Sequence, residues 1–163
     1  MSSIHSLLTI AAIFLFSLIS LRFNSVALQN MQLEIENKVY LTAFSLGDDL
    51  LEEIKQRAFD EETIVFRAIN PDELTLPADL GPDVGENSYV DFDDIDDYKG
   101  YSKQVSLPHA EGFTVQSNLY YVDKDGYQLS GEQTFYKKAE VTVSSEYLRF
   151  PVKLSFIFTL HSK

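Results

Sequence analysis

The chain has 163 residues, 45% hydrophobic and 13% aromatic, with 25 acids against 13 bases, a formal charge of −12 and no cysteine. Global disorder, disulfides and thiolate chemistry are thereby excluded, and nucleic acid and anionic lipid headgroups are disfavoured as partners by like charge. The length suits one ordinary domain plus an attached element.

The first element is apolar. Residues 1–21, "MSSIHSLLTIAAIFLFSLISL", carry no formally charged side chain when His5 is neutral. The stretch from Ile4 to Leu21 makes a helix of roughly 27 Å at 1.5 Å per residue, close to the roughly 30 Å hydrocarbon core of a bilayer. A cleaved secretory signal is the alternative, because Ser25, Val26 and Ala27 offer small residues to a signal peptidase. A basic n-region is missing, however, and Arg22 follows the apolar run instead of preceding it. An anchor is the favoured expectation.

From Asn24 to Phe59 there is neither proline nor a long polar break. Val39, Ala43, Leu46, Leu50, Ile54 and Ala58 recur at steps of three and four, the period of one helical face. Leu28, Met31 and Ile35 lead into the same stripe, and Gln29, Glu34, Lys38, Asp48, Glu52, Lys55 and Gln56 mark the opposite face. Gly47 is a weak spot, costing about 1 kcal/mol relative to Ala in a helix interior. The pattern predicts one helix to about Phe59, a rod on the order of 80 Å, with a break near Asn24 as the alternative. Such a rod is too long for its own domain to cover, so its first half needs lipid or other helices.

The run Thr63–Ala68, "TIVFRA", predicts a short strand. A long irregular loop is expected over Asn70–Tyr98, which holds Pro71, Pro77, Gly81, Pro82 and Gly85. Beyond it "FTVQSNLYYV" alternates up to a "DKDG" turn signal, "YQLSGEQTFY" is a weaker strand or loop, "KKAEVTVSS" alternates cleanly, and "VKLSFIFTLHS" is the last strand. Helix first and antiparallel sheet after it is an α+β order. Val115, Leu119, Val141, Val143, Leu154, Phe156 and Phe158 are the sheet's expected contribution to the core. The expected division is a transmembrane helix over 1–27, its amphipathic continuation over 28–60, and a β-rich extracytoplasmic domain over 61–163.

Three pieces, "AFSLGDDLLEEIKQRAFDEE", "FDDIDDYKGYS" and "KKAEVTVSS…FPVKLSFIFT", together resemble minor pilins of the mannose-sensitive haemagglutinin type within the type IV pilin fold. They cover much of residues 40–163. The resemblance implies a long N-terminal helix packed on an antiparallel sheet, a C-terminal domain outside the cytoplasm, and assembly with other pilin-like subunits through the helix. The sequence departs from the family at its start: prepilins carry a short basic leader ending in Gly and then Phe-Thr-Leu-Ile-Glu, and neither string occurs here. The expectation is a pilin-like protein that stays in the membrane or joins an assembly by another rule. Arg22 and Lys38 follow the span, which by charge alone favours the opposite topology; the family resemblance carries the extracytoplasmic placement.

The loop around Asp91, Asp93, Asp94, Asp96 and Asp97, with Phe92 and Ile95 between them, does not follow the EF-hand spacing. Its favoured reading is a shaped loop whose aspartates accept backbone N–H bonds while Phe92, Ile95 and Tyr98 pin it to the core. Calcium on the five aspartates and a surface for a basic partner are the other two readings. In "YVDKDGYQLSGE", Asp123, Asp125, Gly126 and Glu132 match EF-hand positions but Tyr121 stands where the first carboxylate belongs, so a hairpin turn is expected. His5, His109 and His161 form no ligand-spaced pair, and no G-x-S-x-G, P-loop or zinc signature is present. No enzyme activity, cofactor or nucleic-acid partner is expected.

The sequence thus points to a membrane-anchored, pilin-like structural subunit of a bacterial envelope assembly, in a type IV pilus or a type II secretion-like machine. Its expected partners are the lipid bilayer and other pilin-like subunits. Leu7, Ile10, Phe14, Leu18, Leu21, Val26, Leu28 and Met31 are the expected helix-packing residues, and Asp93, Asp94, Asp96, Asp97, Tyr98 and Gly100 the loop-shaping ones. The alternative is an exported soluble binding domain with residues 1–27 removed and calcium as its candidate ligand.

Overall fold

A computed structural model describes residues 2–86, 88–107 and 110–160. His109 and His161, and the end of the expected last strand, lie outside them. The chain forms two compact units, Met1–Lys38 and Val39–Lys163. Helix α1, Ser2–Ile54, supplies the described part of the first and the opening of the second.

In the first unit every side chain from Ser3 to Ile35 is exposed. The helix runs through Asn24, so the expected alternative of a break there does not occur. Its hydroxyls turn back onto the helix: Thr9 Oγ1 donates to the carbonyls of His5 and Ser6, and Ser17 Oγ donates to that of Ile13 at 2.8 Å. Side chains satisfied in this way add little polarity to the helix surface. The helix passes the length and composition criteria for crossing a membrane, criteria that a signal sequence also meets.

The second unit is built on Val39–Ile54. Ala43, Leu50, Leu51 and Ile54 are buried, with Val39 and Leu46 packed beside them. These are the predicted stripe plus Leu51 and without Ala58, which lies beyond the helix end and bridges to Asp94. Gly47 has a specific reason to be glycine. A Cβ there would lie 3.0 Å from Leu154 Cδ1 and 3.2 Å from Val143 Cγ2, so the helix backbone sits directly on the sheet. We predict that Gly47→Val, which forces a branched side chain into that contact, destabilises this unit by about 2 kcal/mol through overpacking. Thermal melts followed by circular dichroism would check this; an unchanged or raised melting temperature would refute the close approach.

The helix ends at Ile54 rather than near Phe59. Its last turn tightens, with Gln56 N–H donating to Glu53 O and Arg57 N–H to Ile54 O. The chain then pairs with the acidic loop: Ala58 N–H donates to Asp93 O at 3.1 Å, and Ile95 N–H donates to Ala58 O at 3.0 Å. The expected strand over Thr63–Ala68 is instead the short helix α2, Glu61–Val65. Asp60 caps it, accepting from Glu62 N–H at 3.2 Å, and Glu61 and Glu62 suit the positive end of the helix. The capping side chain outweighed the β-branched run.

Four antiparallel strands follow as a meander in the order β1-β2-β3-β4: Ser102–Leu107, Ala110–Tyr121, Tyr136–Ser144 and Val152–Thr159. Strand β1 was not among the expected elements. The "DKDG" turn occurs as expected, with Asp123 Oδ1 accepting from Gly126 N–H at 2.8 Å and Gln128 N–H at 3.3 Å. On the helix-facing side Phe113, Val115, Leu119, Ala139, Val141 and Val143 are buried, and Leu154 and Phe158 pack against them. Phe156, expected in the core, is 39% exposed. It sits on the outermost strand, where Lys55 Nζ stands 4.4 Å from its ring centroid. The described residues thus form an α+β protein.

Candidate functional site

Alternation in β3 puts Lys137 on the same face as Ala139, Val141 and Val143, opposite Tyr121 of β2 and Phe158 of β4. Its side chain is fully buried. A buried ammonium requires charge partners and hydrogen-bond acceptors, and three segments supply them. From the α1–α2 connection, Asp60 Oδ2 lies 2.6 Å from Nζ, and the Phe59 carbonyl accepts at 3.0 Å. From the acidic loop, Asp96 turns both carboxylate oxygens to Nζ at 2.6 Å each. The rings of Phe59 and Tyr121 close over the cation at 4.8 and 5.0 Å from their centroids.

Asp60 joins elements far apart in sequence. Besides capping α2, it accepts from Thr75 N–H at 3.2 Å, from Thr75 Oγ1 at 3.0 Å and from the Tyr121 hydroxyl at 3.1 Å. The single Tyr121 O–H is shared between Asp60 and the Thr75 carbonyl, which lies nearer at 2.8 Å. Burial, and then the Asp60 charge, hold the Tyr121 hydroxyl well above its ordinary range.

The acidic loop is a self-capped turn ending in a short 3₁₀ helix, Asp96–Tyr98. Asp94 Oδ1 accepts from the N–H groups of Asp96 and Asp97 at 2.6 and 3.2 Å. Asp97 Oδ2 accepts in return from those of Asp93 and Asp94 at 3.0 and 3.2 Å. Phe92, Ile95 and Tyr98 are buried, with the Phe92 and Tyr98 rings edge to face at 5.1 Å. Tyr98 Oη reaches Glu53 at 2.9 Å, and Ser117 Oγ donates to the Tyr98 carbonyl at 2.7 Å. Gly100 leaves the loop at φ +77°, a conformation that side-chain-bearing residues rarely adopt.

This geometry places the expected loop residues individually. Asp94, Asp96 and Asp97 are buried and Asp93 and Asp91 exposed. The five aspartates do not converge on one point, because Asp94 serves backbone N–H groups and Asp96 serves Lys137. The acids whose oxygens do approach one another, within 4.8 Å, are Asp93, Asp97 and Glu86. The expected helix residues Leu7, Ile10, Phe14, Leu18, Leu21, Val26, Leu28 and Met31 are all exposed. Sequence reasoning missed Lys137 and Asp60. The available signal was a lysine in phase with an apolar strand face.

Burial pushes the carboxyls of Asp94, Asp96 and Asp97 up to about 7; for Asp94 the Asp96 charge adds to the rise, and for Asp97 the Asp94 charge does. An acid whose folded pKa exceeds its unfolded value binds more protons when folded, so stability falls as pH rises through the window between the two. For Asp94 and Asp97 that window runs from the ordinary 3.8 to about 7. We expect a loss of roughly 2 kcal/mol between pH 5 and pH 8, about half of what one fully dry group shifted by three units would give. Urea midpoints at the two pH values test it, and a midpoint that rises with pH would overturn the assignment.

No family model, curated protein or solved structure matches the chain significantly.

Proposed function

We propose that the protein is a membrane-anchored, pilin-like structural subunit of a bacterial envelope assembly. One observation carries this reading: from Ile4 to Leu21 the helix exposes a predominantly apolar surface without Asp, Glu, Lys or Arg, with Leu7 71% and Phe14 63% exposed, and Val26, Leu28 and Met31 continue it on one side. Soluble monomers rarely expose contiguous apolar patches beyond a few hundred Å². Lipid covers the first part of such a surface, and helices of neighbouring subunits cover the rest by side-chain packing. A fold of helix followed by antiparallel sheet agrees with the resemblance of the "LLEEI" helix end, the acidic loop and the closing strands to minor pilins. In this reading the second unit lies outside the cytoplasm and presents its loops outward.

The second reading, an exported domain with residues 1–27 removed, draws on the compact unit that begins only at Val39. Alkaline washing and detergent extraction of native membranes, with mass analysis of the N-terminus, distinguish the two. The anchor reading expects retention after alkaline wash, release by detergent together with other helix-spined subunits, and residues 2–27 still attached. A chain starting at Leu28 in the aqueous fraction refutes it.

A further inference from the structure

We propose that Lys137 and Asp96 are joined by a covalent amide bond formed within the folded protein, with Asp60 as the base. This inference does not depend on the reading of the N-terminal helix.

The amine and the carboxyl lie at reacting distance. Nζ lies 2.6 Å from each oxygen of Asp96. A point equidistant from both oxygens lies in the plane that bisects them through Cγ, so these distances hold the nitrogen within about 3 Å of Cγ, inside the range of near-attack conformers. The two carboxylates on Nζ have different surroundings. Asp60 shares its oxygens among Glu62, Thr75, Tyr121 and Lys137. Asp96 directs both oxygens to Nζ, and burial pushes its carboxyl up to about 7, so near neutrality a large share of it is the acid. An ionised carboxylate is a poor acyl donor; the neutral acid is a competent one. The site therefore offers an amine, a protonated carboxyl and a base on one fully buried nitrogen.

The reaction starts with transfer of a proton from the Lys137 ammonium to Asp60. The neutral amine attacks Cγ of the Asp96 acid, the tetrahedral intermediate collapses with cleavage of a C–O bond, and one water leaves. The amine and the carboxylic acid become a secondary amide, and Asp60 is left protonated. No oxidant, reductant or cofactor is required. Burial favours the step twice over: it disfavours the ionised pair relative to the neutral reactants, and fixed positions replace a bimolecular encounter. Phe59 and Tyr121 keep bulk water from the bond once made.

The test is peptide mass analysis of the full-length protein, purified at neutral pH, denatured and digested with trypsin. An acylated lysine is not cleaved. The expected product is residues 68–99 joined to residues 125–138, one water lighter than the two peptides together, with no cut after Lys137. Separate linear peptides cut after Lys137 overturn the proposal. A bridge from Lys137 to the peptide holding Asp60 overturns the assignment of Asp96 as acyl donor. Lys137→Arg, whose guanidinium keeps the charge but does not condense, is expected to give linear peptides only. In a refolding time course Asp60→Asn, which still offers Thr75 and Tyr121 an oxygen, is expected to slow bond formation about a hundredfold or more. An unchanged rate removes Asp60 from the base role.

Discussion

Replacing Lys137 with methionine is expected to lower the stability of the Val39–Lys163 unit by about 3–5 kcal/mol, a large part of the total for a domain this size. Methionine nearly matches the lysine stem in length, so little packing is lost. What is lost is the cation that contacts two buried carboxylates, Asp60 and Asp96. Breaking a buried pair by removing one partner leaves uncompensated charge in a poorly solvated interior. Three segments, the α1–α2 connection, the acidic loop and β3, would then meet around like charges. Any covalent tie at Lys137 adds to the loss. A second change makes the cause visible: Lys137→Met with Asp96→Leu removes one acid as well and is expected to recover part of the deficit. Urea denaturation in detergent measures both. A single variant within about 0.5 kcal/mol of the parent, the usual range of surface substitutions, would show that the cluster does not hold the unit together.

The second large effect is expected in the first unit. Phe14→Lys combined with Leu18→Lys puts two ammonium groups near the middle of the apolar stretch. At about 2.5–3.5 kcal/mol each on insertion scales, the pair costs roughly 6 kcal/mol, enough to prevent insertion. The variant should move from the membrane to the aqueous or degraded fraction, while Gln29→Lys, on the polar face, should not. If the double variant stays in the membrane pellet after alkaline wash, this stretch is not what crosses the bilayer. Loss of the membrane location should leave the tryptic map of residues 68–138 unaltered.

Elements with strong periodicity were legible in the sequence. The stripe Ala43, Leu50 and Ile54 and the alternation Val115, Leu119, Val141 and Val143 are buried where the pattern puts them, because one apolar face of each element must find the other. The acidic loop, too, was readable as a shaped turn from closely spaced aspartates between Phe92, Ile95 and Tyr98. What failed depended on single side chains acting over distance. Helix α2 rests on Asp60 as a cap, and that residue also belongs to Lys137 and Thr75. Strand β1 has its two partly buried apolar residues, Val105 and Leu107, only at its end, after exposed Ser102, Lys103 and Gln104, too short a stretch for an alternation to register. Lys137 gives no local sign of burial, because lysine is almost never fully buried unless paired, and its partners lie 77 and 41 residues away.

Sequestering these groups also changes what a neighbouring copy encounters. Asp94, Asp96 and Asp97 are buried, with carboxyls pushed up to about 7, so near neutrality protonation removes part of the charge that composition assigns to a chain of formal charge −12. The mutual repulsion of adjacent copies is correspondingly weaker than composition suggests. What remains is diffuse surface charge, screened beyond about 8 Å at physiological ionic strength. Crowding these domains side by side is therefore a salt-tunable process, easier in brine than in fresh water.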